Sequence, residues 1–146
     1  MKRLVYILAA LLTALPAMAE DIEIRPDQLP EKAVRIINKA FPDGTIKKAN
    51  IERRASLIQY EVKMSGGIKL QFAKDGSFTE CECTKGPVPS MLVPSRISSL
   101  VAKEFPNNEI RRIEHDSKLY EITLDDLTEL CFNSAFRLID IDKPGQ

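Results

Sequence analysis

Cys81 and Cys83 alternate with Glu80 and Glu82 in the stretch FTECEC, and the third cysteine, Cys131, stands in ELCFN. A C-x-C pair offers two thiolates to a soft metal ion. A disulfide from Cys131 to Cys81 or Cys83 is a second reading, and buried thiols acting as small hydrophobes are a third. With 3 cysteines, at least one thiol has no partner within the chain. Glu80 and Glu82 form an acid pair on one face of an extended segment, a common arrangement on solvated surfaces. His115 is the only histidine. In EHD its neighbours Glu114 and Asp116 point to the opposite face of a strand, so the three do not converge on a metal and His115 reads as a solvated hairpin residue. Ser56, Ser65 and Ser95 lie in no nucleophile-elbow context and have no histidine partner. No catalytic centre, metal or cofactor is expected.

The elements that position these residues occur twice. Pro30, Phe41, Pro42 and Ile46 return as Pro94, Phe105, Pro106 and Ile110, each displaced by 64 positions. Tyr60-Glu61, Leu70 and Phe72 return as Tyr120-Glu121, Leu130 and Phe132, displaced by 60, so the first hairpin of the second copy is four residues shorter. Ala33, Val34, Ile37 and Phe41 fall at helical spacing, as do Ile97, Leu100, Val101 and Phe105, and the proline after each Phe ends the helix. The period then changes to two, with Ile58, Tyr60, Val62 and Met64 followed by Ile68, Leu70 and Phe72 after Gly66-Gly67. KDGS makes a turn before FTECEC. Each copy therefore reads as one helix followed by about four antiparallel strands, with Phe41, Phe105, Tyr60, Tyr120, Phe72 and Phe132 as the main core. The last strands align Cys81 and Cys83 with Ile139 and Ile141 on the helix-facing side and Cys131 with Gln71 on the other. A disulfide through the sheet then needs a bulge or a shifted register.

The first residues are of another kind. Lys2 and Arg3, the apolar run Leu4 to Leu15 and the ending Pro16-Ala17-Met18-Ala19 read as a signal peptide cleaved after Ala19. The run is too short to span a bilayer and is followed at once by Glu20 and Asp21. A periplasmic or secreted protein without stable membrane insertion is implied. Loss of Lys2 and Arg3 takes the 21 basic side chains to 19 against 21 acidic ones, a balance that gives no strong field for nucleic acid. KKANIERR and IRRIEH are locally basic, but apolar residues interrupt their charges, and they read as the solvated side of strands. The absence of Trp and the 6 glycines argue against a sugar-stacking module and a glycine-rich phosphate loop.

The helix closing on FP, the paired YEV and YEI, the hairpin GGIKLQFAKDGSF and the export signal together resemble the PepSY-like, β-lactamase-inhibitor-like periplasmic proteins of Bacteroidetes-type bacteria. The resemblance spans roughly residues 28 to 142. It implies an α+β fold, a tandem duplication of a helix plus four-stranded antiparallel unit with about eight strands and two helices packed on one face. The expected division is a signal peptide over 1–19, an N-terminal extension over 20–27, repeats over 28–83 and 93–142, a stiff Pro-rich linker over 84–92 and a tail over 143–146. FNSAF departs from the FAKDGSF turn of the first copy.

Strand parity assigns the face away from the helices to Leu57, Gln59, Glu61, Lys63, Lys69, Gln71, Phe78, Glu80, Glu82, Leu119, Glu121, Thr123, Glu129, Phe136 and Leu138. Aromatic anchors Phe78 and Phe136, with Leu57 and Leu119, inside a polar rim have the composition of a recognition surface. The expected function is thus a non-enzymatic binding or inhibitor-type module that offers this face to a protein or peptide. The alternative is a protein handling a small ligand or soft metal through Cys81 and Cys83.

Overall fold

The computed structural model describes residues 19–145, so the export signal expected over 1–19 lies outside the described residues except for Ala19. The chain runs as β1 (Ala19–Ile24), a 3-10 turn (Pro26–Gln28), α1 (Glu31–Ala40), β2 (Ile46–Arg54), β3 (Leu57–Met64), β4 (Ile68–Ala73) and β5 (Phe78–Cys83). A second 3-10 turn (Ser90–Leu92), α2 (Ser95–Glu104), β6 (Ile110–His115), β7 (Leu119–Leu124), β8 (Glu129–Asn133) and β9 (Leu138–Asp142) complete it. All nine strands pair antiparallel in sequence order in one sheet. The ninth strand comes from the segment expected to be an N-terminal extension: β1 pairs along β2 from Ala19 opposite Arg54 to Ile24 opposite Ala49.

The two helices are copies in detail. Pro30 and Pro94 stand at the N-caps and contribute the carbonyls that accept the first helical bonds, from Val34 and Ser98. Phe41 and Phe105 close them with the same backbone, φ −134° and −132°, each N–H donating to the carbonyl four residues back. The proline that follows prevents continuation. Ala33 and Ile37 of α1 and Ile97 and Val101 of α2 enter one core with Val62, Leu70, Phe72, Ile113, Ile122, Leu130 and Phe132. These strand residues share one parity, so both helices lie on one face of the sheet.

Phe72 and Phe132 are fully buried at the centre, whereas Phe41, Phe105, Tyr60 and Tyr120 pack half-buried around them. The linker also contributes to the core. Val88, Leu92 and Val93 are buried, and the Val88 N–H donates to the Ile110 carbonyl at 2.8 Å. That bond ties the join between the copies to the first strand of the second.

Four β-bulges recur in pairs. Lys47 and Arg111 are the extra residues in β2 and β6, and Thr79 and Ile139 those in β5 and β9. Each bulge sets two residues against one and reverses the facing of what lies beyond it. Phe78 therefore pairs with Phe72, and Leu138 with Phe132, on the helix side. The expectation that Phe78, Phe136 and Leu138 face away from the helices is corrected here, because all three pack against the core. Register also revises the alignment of the last strands: Cys81 lies opposite Leu70 as Ile141 lies opposite Leu130, so Cys81 corresponds to Ile141 and Thr79 to Ile139.

Candidate functional site

The helix-free face is ordered by its register. One transverse row crosses all nine strands as Glu23, Asn50, Glu61, Gln71, Glu80, Glu114, Glu121, Cys131 and Asp140, each directly opposite the next. Six of these nine are carboxylates. The parallel row beside it holds Lys48, Lys63, Lys69, Glu82, Arg112, Thr123 and Glu129. Like charges placed opposite one another repel unless cations intervene, and the second row supplies them.

Arg112 is the centre of that compensation. It donates to Glu80 at 3.0 Å and to Glu114, and stands 3.8 Å from Glu82. Glu80 and Glu114 are buried although no helix covers them, because their neighbours on the face close over them. Burial works against the Arg112 cation, but Glu80 and Glu114 outweigh it and hold its pKa above the ordinary value. Burial likewise pushes Glu80 up, with Arg112 and Lys69 partly restoring its charge. Toward the β1 edge, Gln59 donates to Glu52 at 2.6 Å, and burial again raises the Glu52 carboxyl. Gln71 reaches Glu61 at 3.5 Å, and Lys63 lies 3.9 Å from Glu61.

Of the residues assigned to this face, Leu57, Gln59, Glu61, Lys63, Lys69, Gln71, Glu80, Glu82, Leu119, Glu121, Thr123 and Glu129 occupy its parity, and the register brings Glu61, Gln71, Glu80 and Glu121 into one row. Phe78 and Phe136 instead join a line of rings at the hairpin end of the opposite face. His115 stacks on Tyr120 with centroids 4.8 Å apart, Phe78 lies 5.6 Å from His115, and Phe136 meets Tyr120 edge-on at 5.3 Å. The lone histidine is thus a half-buried member of an aromatic row rather than a solvated hairpin residue. Arg112 and Glu114 were missed, because IRRIEH reads as a solvated strand. The recoverable signal was a basic strand due to pair with the acidic FTECEC.

The cysteines divide between the faces. Cys81 and Cys83 point into the core with sulfurs 3.8 Å apart, and Cys131 lies on the helix-free face between Glu121 and Asp140. All three are free, and the sheet separates Cys131 from the other two, so neither cross-sheet disulfide forms. The thiol–thiol contact, reinforced by burial, pushes Cys81 far up, and the same contact lowers Cys83. Burial pushes Cys131 up to about 11. Among the described residues no three His, Cys, Asp or Glu side chains are placed to hold a metal ion.

A sequential antiparallel sheet with two equivalent helices on one face defines a duplicated α+β unit. The chain belongs to the family described as "Putative beta-lactamase-inhibitor-like, PepSY-like", whose model matches residues 17–79 and 58–140. It is similar to a solved structure from Bacteroides thetaiotaomicron described as a "putative calcium-regulated periplasmic protein", at 35% identity and TM-score 0.82 over 84% of this chain and 97% of that one. A structure from Bacteroides vulgatus described as a "putative periplasmic protein" matches at 35% identity and TM-score 0.82, covering 85% and 98%. Another from that organism, described as of unknown function, matches at 28% identity and TM-score 0.80, covering 85% and 100%. No curated protein matches the chain. Among the described residues no helix is long and apolar enough to cross a membrane.

Proposed function

We propose that the chain is an exported, non-enzymatic binding module of inhibitor type that presents the helix-free face of its sheet to a protein or peptide partner. The observation that carries this reading is the transverse row. Six carboxylates aligned across nine strands, with Arg112 holding Glu80 and Glu114 and Gln71 reaching Glu61, form an acidic platform whose natural complement is a cationic surface. Leu57 and Leu119, half-buried on the same face, add apolar contact. The anchors are therefore charged groups, and Phe78 and Phe136 act through the fold.

The test is capture of a partner from periplasmic extract by the protein, by a Glu61→Lys/Glu82→Lys variant and by Phe78→Ala. The reading expects the charge reversal to lose the partner while Phe78→Ala keeps it at a temperature where it remains folded. Equal capture by the charge-reversed variant would overturn it. Because one similar protein is described as calcium-regulated, the capture is run with and without calcium.

A second reading, soft-metal handling by Cys81 and Cys83, is favoured by their 3.8 Å sulfur separation on one side of a strand. Both thiols are buried, so a metal must displace their protons and open the core. Titration with Ag(I), comparing the protein with Cys81→Ser, decides it: binding lost in the variant supports this reading.

A further inference from the structure

The internal junction between the two copies repeats at one end of the sheet and is left unfilled at the other. β5 pairs with β6 through Glu80 opposite Glu114, Cys81 opposite Ile113 and Glu82 opposite Arg112. β1 pairs with β2 through Glu23 opposite Asn50 and Ile24 opposite Ala49. Since β2 and β6 are equivalent strands, β1 holds at β2 the place that β5 holds at β6. β9 is the third strand of this type. Asp140 and Ile141 match Glu80 and Cys81 by register, and the run Ile139-Asp140-Ile141 repeats the Ile22-Glu23-Ile24 of β1. Among the described residues no strand lies beyond it.

Charge divides the two strand types. β1, β5 and β9 carry only acids, Glu20, Asp21 and Glu23, then Glu80 and Glu82, then Asp140 and Asp142, whereas β2 and β6 carry Lys47, Lys48, Arg53, Arg54, Arg111 and Arg112 beside the single acids Glu52 and Glu114. Each filled junction has an ion pair across it, Arg54 with Asp21 at 3.0 Å and Arg112 with Glu80 at 3.0 Å. Asp140 and Asp142 take part in none of the ion pairs among the described residues. Cys81 is fully buried at its junction, but Ile141 is 45% exposed and Ile139 54%.

We infer that the free edge of β9 is a strand-addition site for an extended basic segment of another protein. That segment pairs antiparallel with β9 and sets a cationic residue opposite Asp142 and an aliphatic one opposite Ile141, as Arg112 and Ile113 do at β5. Backbone hydrogen bonds supply affinity and the basic–aliphatic order supplies selectivity. A second copy is not the occupant, because its β2 is already held by its own β1 at the high effective concentration of an intramolecular strand.

The test adds a synthetic peptide, IRRIKH, which is the β6 sequence with lysine in place of its glutamate so that the segment is basic, to the isotopically labelled protein and maps amide shifts. Saturable shifts across residues 138–142 are expected, with affinity at least tenfold weaker for the peptide whose two arginines are replaced by glutamate. The Asp142→Lys protein should show a comparable loss while melting like the parent. Shifts on β1 or on the helix-free face, equal binding of the charge-reversed peptide, no binding at millimolar peptide, or self-association of the protein through β9 would each overturn the assignment. These shifts are read apart from the carboxylate platform, so the two proposals fail independently.

Discussion

Gly76 and Phe136 occupy the same turn position in the two copies, and both have a left-handed backbone, φ +86° and +62°. At Gly76 a Cβ would fall 2.8 Å from the Pro30 Cβ and 3.1 Å from the Ala33 nitrogen, so the turn is pinned beneath α1 as well as conformationally selected. Phe136 takes the same φ and turns its ring onto Tyr120. A second such pair is Gly67 and Leu127, with φ +75° and +71°.

The strain at these two positions has opposite consequences on substitution. Leu127 is 68% exposed, so Leu127→Gly sheds a left-handed cost of about 1 kcal/mol and loses little contact. It should stabilise the protein by roughly 0.5–1 kcal/mol. Phe136→Gly sheds the same cost but removes an aromatic contact and buried area, and should destabilise by about 1–2 kcal/mol. Chemical denaturation of the two variants checks the contrast in sign, and a stabilised Phe136→Gly would refute the packing role of that ring.

Phe72 and Phe132 are equivalent and equally buried, so Phe72→Ala and Phe132→Ala should each cost about 3–5 kcal/mol. Phe41→Ala and Phe105→Ala, at half-buried helix ends, should cost clearly less. Denaturant midpoints for the four variants test the ranking.

Arg112→Leu leaves Glu80 and Glu114 buried without their cation, and the loss should reach about 3–5 kcal/mol at neutral pH. The pH dependence has a definite sign. Burial raises Glu80 and Glu52 above the ordinary 4.5, so the folded state holds their protons more tightly than the unfolded chain does. Their favourable contribution is complete below 4.5 and fades as pH rises through the folded values. Glu80→Gln should flatten the stability profile just above pH 4.5, and Arg112→Leu should steepen it. Thermal melts from pH 4.5 to 7.5 measure both slopes.

The thiols should be silent in the native state. Cys81 and Cys131 are raised by their surroundings, and all three side chains are buried. A chromogenic disulfide reagent at pH 8 should modify them no faster than the protein unfolds, whereas denaturant should release 3 thiols at once. Rapid native labelling of Cys83 would contradict its buried placement.

The helices, the repeat and most strand facings were legible in the residues, because period 3.6, period 2 and offsets of 64 and 60 are carried by side-chain type alone. Facing failed where a bulge intervenes. Phe78, Glu80 and Glu82 alternate without interruption, yet Thr79 is an extra residue, so Phe78 and Glu80 point to opposite sides. Ile139 does the same between Leu138 and Asp140. Phe136 was expected beside Phe78 on the helix-free face, but the offset of 60 makes it the counterpart of Gly76. Nothing in Phe136 itself announces a left-handed turn. β1 escaped notice because its alternation, Ile22 and Ile24 among acids, is short and follows directly on the export signal.

Every strand of this sheet lies beside the strand that precedes it in the sequence. A chain that emerges from a ribosome or a translocation pore N-terminus first therefore finds each strand's partner already delivered, and eight of the nine strands need close only one junction back along the chain. Two long waits occur, one between β1 and β2 while α1 passes and a longer one between β5 and β6 while the linker and α2 pass. During that longer interval β5 has the same bare acidic edge that β9 keeps in the finished molecule.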